Sequence, residues 1–454
     1  MYMINFLELV NKYKEEAIKT LQELVQINSV LDYDTVGENA PFGKGISEAL
    51  NYMLNKASKD GFKTFNDDGY VGVVTMEGNT TEKIGILGHL DVVPVGEGWT
   101  YPPFSAQIVD GKMYGRGTMD DKGPTIASYI ALKILKENNI KLNKTIELIL
   151  GTDEETGWRG IEHYTKNYEL PSVGFSPDAE FPLIHGEKGI VRVVMKGLPT
   201  EGFTLKGGNI FNAVIGKAVA TTDIDYSEEF NQYLNENNLT GNVEIKNGLF
   251  EYTIVGKSAH AMEPHKGINA GTHLANFLNQ FYNHPTLKFI SNAVHNDHNM
   301  LKLGQKTTHK IMGIITNNVG IMDFNESESK FTFDIRYPIG FSFDYFSLAL
   351  PNILGVYDIT CEIVEHKTPH YIDIEDNLVK TLYNVYVKYT NDTVNKPCTI
   401  GGGTYARALK HGVAFGMELP GEPSVVHQAD EYLDVENFLK AIAIYAEAIY
   451  ELGK

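Results

Sequence analysis

Four apolar runs in this chain lead into side chains able to bind a cation or move a proton. Ile84–Leu87 leads into Gly88-His89-Leu90-Asp91, Thr145–Leu150 into Asp153-Glu154-Glu155, Val173–Phe175 into Ser176-Pro177-Asp178, and Ser424-Val425-Val426 into His427. Asp120-Asp121 adds a fifth group, in the glycine-flanked loop "YGRGTMDDKGP" at 114–124 that precedes a helix. Singly, each has an ordinary reading. Acids before a helix start are a common solvated turn, a lone histidine after a strand is commonly structural, and Asp-Asp beside glycine is turn chemistry. Their recurrence is what carries information. In an open α/β sheet ligands bind outside the carboxyl ends of the strands, so these groups could share one rim. Carboxylates gathered there would repel one another unless a cation neutralised them. Histidine with carboxylate and without cysteine favours Zn²⁺, Mn²⁺ or Co²⁺ over a closed structural zinc site. Five or six candidate ligands exceed one tetrahedral catalytic site, which points to two metals sharing a bridging carboxylate.

The elements that must position these groups read as α/β at both ends of the chain. Phe6, Val10, Tyr13, Ala17, Leu21 and Leu24 form the stripe of an amphipathic helix, and Ile46, Leu50, Met53 and Ala57 form a second. Short apolar strands are expected at Tyr70–Met76, Ile84–Leu87, Thr145–Leu150 and Val173–Phe175. A helix fits Pro124–Glu137, with proline in its first turn, and another fits Asp434–Leu452 with Asp434 as N-cap. Between roughly 188 and 366 the pattern changes to alternating strand-like pieces, among them Val191–Met195, Leu249–Val255 and Lys330–Ile335, mixed with two or three helices. This reads as an inserted α+β domain, 188–366, within a domain made of 1–187 and 367–454.

Composition excludes several classes. The 454 residues exceed one ordinary core. A formal charge of −19, from 39 basic and 58 acidic residues, opposes binding to nucleic acid or anionic lipid. Cys361 and Cys398 lie in apolar contexts without C-x-x-C spacing and read as buried free thiols of a reducing compartment. Glu8, Lys12, Lys14, Glu15 and Glu16 interrupt any signal-peptide core, and no apolar stretch approaches a membrane span. A cytoplasmic protein is expected.

Seven blocks, "GHLDVVP" (88–94), "YGRGTMDDKGP" (114–124), "GTDEETG" (151–157), "SPDAEFP" (176–182), "GKSAHAMEPHKGINA" (256–270), "IGGGTYAR" (400–407) and "HQADEY" (427–432), resemble the M20 family of dinuclear metallopeptidases. The likeness is closest to its dipeptidase V branch, also called Xaa-His dipeptidase or carnosinase-like. The resemblance implies a catalytic domain with a mixed β-sheet flanked by helices, plus an inserted lid. It implies cleavage of dipeptides with free amino and carboxyl termini, with two divalent metals, zinc first and manganese or cobalt as alternatives.

It also implies roles. His89, Asp120 and Asp178 would hold one metal, and Asp120, Glu155 and His427 the other, with Asp120 bridging and the Asp120–Asp121 peptide cis. Asp91 would orient His89, and Glu154 would be the general base on the metal-bridging water. Asp153 would remain solvated or capping. On the lid, His260 would donate to the oxyanion and Arg336 would bind the substrate carboxylate, although a surface ion pair fits Arg336 as well. Asn212 would match the family's lid asparagine, though Asn212-Ala213-Val214-Ile215 departs from the usual N-M-V-P. Gly402, within Gly401–Gly403, would allow close approach of substrate, or simply make a tight turn. His163, His185 and His265 read as structural or solvated. The branch's enlarged lid mimics a partner subunit within one chain, so a monomer is expected, binding small peptides and neither nucleic acid nor membrane. The alternatives are another M20-type amidohydrolase, an N-acyl amino acid deacylase or tripeptidase, or a non-catalytic peptide-binding relative. A nucleotide enzyme is disfavoured because neither G-x-x-x-x-G-K-[ST] nor G-x-G-x-x-G occurs.

Overall fold

A computed structural model describes residues 4–454. The chain forms two compact units. The first comprises the residues up to His185, Tyr371–Cys398 and Gly403–Lys454; the second comprises Gly186–His370 and Thr399–Gly402.

The first unit is built on a mixed sheet. Six of its strands run in the order Lys63–Asp67, Val71–Met76, Thr145–Gly151, Lys83–His89, Val173–Ser176 and His411–Ala414. The last four are mutually parallel where they pair, and the first two add antiparallel strands at one edge. Parallel pairing matters for function because it brings the carboxyl ends of Lys83–His89, Thr145–Gly151 and Val173–Ser176 to the same rim. The helix Phe6–Val25 buries Phe6, Val10, Ala17, Leu21 and Leu24 of the expected stripe, with Tyr13 only partly buried, and Asn5 caps it by accepting from the Glu8 amide. The helix Lys122–Glu137 is buried from Lys122 through Leu135, because it packs between Phe6–Val25 and Val435–Gly453. Asp434 caps the latter, accepting from the Glu436 and Asn437 amides. The start of Lys122–Glu137 presses so closely on the sheet that a Cβ at position 88 would stand 2.1 Å from Thr125 Oγ1. Only glycine fits there.

One ion-pair cluster ties the helices on this face. Lys133 Nζ lies 2.7 Å from Glu16 Oε1 and 2.9 Å from Asp60 Oδ1, and Lys56 Nζ lies 2.8 Å from Glu16. Burial works against the charge on Glu16 and Asp60. Hydrogen bonds from Lys133 and Lys56 to Glu16, and from Tyr129 and Lys133 to Asp60, outweigh it and hold both carboxyls below their ordinary range. Their folded values thus lie below the unfolded ones, so this contribution is complete above the ordinary carboxylate pKa of about 4 and fades as pH falls below it. Lys133→Met should destabilise the fold by about 3 kcal/mol in urea unfolding at neutral pH, the low end for breaking a buried pair, because the Glu16 side chain stays 35% exposed. The difference from wild type should shrink at acid pH.

The second unit is an antiparallel sheet covered by helices. Its strand order is Thr240–Lys246, Leu249–Val255, Lys217–Thr222, Phe203–Gly207, Met322–Phe324, Ser329–Tyr337, Gly189–Gly197 and Thr360–Lys367, with Thr316–Asn318 also pairing to Ser329–Tyr337. Ala270–Leu278 lies on this sheet, its N-terminus capped by Asn269. Phe230, Tyr252, Phe277, Phe331 and Phe333 are among its core residues. Among the described residues no helix is long and apolar enough to cross a membrane. Cys361 and Cys398 are free thiols, as expected, but only partly rather than wholly removed from the surface.

Candidate metal centre

In the first unit, His89 ends its strand, Glu154 and Glu155 follow Thr145–Gly151, and Asp178 follows Val173–Ser176. Asp120 precedes the helix Lys122–Glu137 through a cis Asp120–Asp121 peptide. The sheet thereby brings five residues from distant parts of the sequence together with His427. Donor atoms of His89, Glu154 and Asp178 lie within 4.8 Å of one another, as do those of His89, Asp120 and Glu155. Asp120 faces both histidines. Its Oδ1 lies 3.1 Å from His89 Nε2 and its Oδ2 2.9 Å from His427 Nε2. His427 Nε2 is also 3.2 Å from Glu155 Oε2, and His89 Nε2 is 3.6 Å from Asp178 Oδ2.

The surroundings fix this arrangement. His89 is fully buried, and its Nδ1 is 3.0 Å from the Asp91 carbonyl. A carbonyl only accepts, so Nδ1 carries the proton in that bond and Nε2 is presented to the carboxylates. The Asp91 carboxylate stands 3.5 Å from the same nitrogen. Its own bonds are to the backbone, Oδ1 accepting from the Glu154 amide and Oδ2 from the Glu155 amide, each at 3.1 Å. Asp91 therefore meets His89 through its carbonyl and, at longer range, its carboxylate, and the same side chain sets the two glutamates. Asp121 Oδ2 accepts from the His89 amide and from Thr125 Oγ1, both at 2.9 Å.

Two expectations are corrected. Ser424-Val425-Val426 is not a strand but part of a loop, and His427 takes a left-handed backbone, φ 61°. The run is only three residues long and follows directly on Pro423, while Gly421 turns the chain at φ 88° just before it. Asp153 is not solvated: it is buried, and its carboxylate accepts from Arg159 Nε and Nη2 at 2.7 Å and from the Arg159 amide at 3.0 Å. Capping was half of that expectation, and the amide bond fits it.

Two residues were missed. Arg116 and Glu431 form a buried pair, Nη1 to Oε2 at 2.6 Å, and Glu431 Oε1 accepts from the amides of Met119 and Asp120. Glu431 thus ties the loop carrying His427 to the loop carrying Asp120. Both residues lie in quoted blocks, and a buried Arg–Glu pair is a signal that only proximity reveals. Of the remaining histidines, His163 stacks on Tyr70 at 3.8 Å and His185 is buried, its Nδ1 2.7 Å from the Ile372 carbonyl.

The donor set fits a cation. Burial, with the charges of Asp178, Glu155 and Asp120, raises Glu154 well above the ordinary carboxylate range, and burial with Asp120 pushes Glu155 up to about 7. Asp178 is raised by burial and Asp120. Bonds to Asp120 and Glu155 push His427 up to about 11. Acids crowded in this way favour added positive charge, which divalent cations on these nitrogens and oxygens would supply.

The second unit gathers the other expected residues into one neighbourhood. Asn212 accepts through its carbonyl from the Ala261 amide, and Ala213 bridges to His260. Asn318 Nδ2 buttresses the same segment, donating to the Phe211 and Ala213 carbonyls at 2.9 Å. His260 is exposed and its Nδ1 accepts from the Met262 amide at 3.1 Å, which leaves Nε2 as the protonated donor. A Cβ at position 401 would lie 2.6 Å from Met262 Cβ, whereas one at 402 would meet only Ile400 Cδ1 at 3.4 Å. Arg336 is buried. Its Nε and Nη2 bond to Asp334 and its Nη1 donates to the Gly401 carbonyl at 3.0 Å.

Comparison with known proteins gives the same lineage. Residues 85–451 match the model of peptidase family M20/M25/M40. A protein of Bacillus subtilis (strain 168) named "Putative dipeptidase YtjP" is 39% identical over 468 residues, covering 98% of this chain and 99% of that protein. Human carnosine dipeptidase 1 superposes with a TM-score of 0.61 at 14% identity, over 98% of both chains. The dipeptidase Dug1p of Saccharomyces cerevisiae gives 0.59 at 14% identity, also over 98% of both. At those identities the two structures speak for the fold alone. The family model and the bacterial relative go further: the chain belongs to peptidase family M20, has the M20 metallopeptidase fold, and is a peptide-bond hydrolase.

Proposed function

We propose that this protein is a metal-dependent dipeptidase, cleaving dipeptides that have free amino and carboxyl termini. The observation that carries the reading is the convergence of His89, Asp120, Glu155, Asp178 and His427 around Glu154 in one unit. The name of the bacterial relative supports the substrate class. His89, Asp120 and Asp178 would hold one divalent ion, and Asp120, Glu155 and His427 a second, with zinc favoured and manganese or cobalt also suited to such ligands. When bound, the ions supply Lewis acidity toward the scissile carbonyl and lower the pKa of water.

The chain's own groups do the rest. Glu154 takes the proton from the attacking water and returns it to the leaving amine. Asp91 holds the backbone of Glu154 and Glu155 through two charge-assisted hydrogen bonds. His260 donates from Nε2 to the oxyanion. Arg336 binds the substrate carboxylate with the N–H groups not bonded to Asp334 and Gly401. Asn212 and Gly402, in the same neighbourhood of the second unit, line the substrate.

The test is elemental analysis followed by a substrate panel. Chelation should abolish dipeptide hydrolysis, and Zn²⁺, Mn²⁺ or Co²⁺ should restore it to different extents. Full activity in protein verified as metal-free would end this reading. Preference for N-acyl amino acids or tripeptides over dipeptides would move the substrate class while leaving the centre intact.

A further inference from the structure

The sharp turn after the acidic triplet holds one residue with no role so far. Trp158 adopts φ 60°, ψ 14°, a left-handed conformation uncommon for any residue but glycine and costly for a bulky one. Such a conformation persists when the surroundings over-determine it, and here they do. The Trp158 amide donates to the Asp153 carbonyl at 2.7 Å, and the Trp158 carbonyl accepts from the Glu162 amide at 3.0 Å. On either side, Arg159 grips the buried Asp153 carboxylate with two side-chain nitrogens and its amide. Thr156 Oγ1 also donates to Asp153. The triplet's first acid is therefore the anchor of the turn.

That turn aims the indole at the centre. Trp158 Nε1 donates to Glu154 Oε1 at 3.2 Å. The ring stands edge-on against Tyr405, centroids 4.9 Å apart at 73°, and Tyr405 is fully buried and lies 6.1 Å from the His89 ring. Packing against Tyr405 and the strained backbone together leave the indole little freedom. The indole N–H thus holds one oxygen of the Glu154 carboxylate.

We infer that Trp158 is a positioning residue that holds the Glu154 carboxylate through its indole N–H, in a turn locked by Asp153 and Arg159. The inference rests on Glu154 being the base, and the competing view is that the ring only fills space against Tyr405. Phenylalanine separates the two, since it keeps an aromatic ring and deletes the donor. Trp158→Phe should lower kcat roughly tenfold, as expected for losing one hydrogen bond to a charged group, with KM and bound metal unchanged. A second measurement leaves Trp158 in place. The chain has two tryptophans, so in a Trp99→Phe background the one indole N–H resonance is that of Trp158, and Glu154→Gln should shift it.

Unchanged kcat in folded, metal-replete Trp158→Phe overturns the inference, and so does an unmoved indole resonance on Glu154→Gln. If Trp158→Phe does not fold, the resonance decides alone. Should Glu154→Gln itself retain full turnover, the base assignment fails instead, which is a different result from failure of the indole contact.

Discussion

Glu154→Gln should bind metal as the wild type does and still bind dipeptide, while kcat falls roughly 10³-fold, within the range for deleting a general base. Glutamine keeps the shape of the side chain and can still accept from Trp158 Nε1, but it cannot take a proton from water. Its neighbour should behave in the opposite way. Glu155 lies 3.2 Å from His427 Nε2, and in the proposed ligand set it contributes charge to a cation. Glu155→Gln replaces that charge with a weaker neutral donor, so metal content should fall and excess metal should partly restore both occupancy and rate. Adjacent residues of one type are thus separated by paired elemental analysis and kinetics. If Glu154→Gln loses metal while Glu155→Gln retains it, the roles are exchanged.

His260→Ala should retain its full metal content and lose roughly 10²–10³-fold in kcat, the cost of removing one oxyanion donor. The direction follows from the tautomer. Because Nδ1 accepts from the Met262 amide, Nε2 carries the hydrogen. Partial desolvation and the Arg336 charge hold the ring below its ordinary pKa, so it stays neutral and a donor at neutral pH. A neutral donor stabilises the negative oxygen that develops in the transition state more than the ground-state carbonyl, so the loss should fall on kcat rather than KM. A His260→Ala enzyme with wild-type kcat and intact metal would show that the donor is another group.

Much of the first unit was legible from periodicity alone. The stripe from Phe6 to Leu24 and the Asp434 cap are local features, set by spacing along one helix and by the nearest amides, and they stand where the sequence put them. The strands ending at His89, Gly151 and Ser176 were equally plain, because apolar runs bounded by polar and glycine residues have few other uses. Since parallel strands share a direction, the residues after those three strands had to meet at one rim.

His427 shows where this reasoning stops. Its two preceding valines look like a strand, yet the run is cut short by Pro423 and the turn at Gly421, and a loop delivers the imidazole to Asp120 instead. Asp91 and Asp153 mark a second limit. Residue type and position announced both as polar groups beside a site. Only the folded chain shows that Asp91 bonds two amides, and that Asp153 is buried under Arg159 and forces Trp158 into a left-handed turn. The same holds for Glu431, which reaches amides more than three hundred positions away in the chain. Residue type and periodicity determine which side chains can do chemistry and which elements carry them. Which hydrogen bond each one makes depends on partners that approach only on folding, and a buried polar group takes whichever partner the packing leaves within reach.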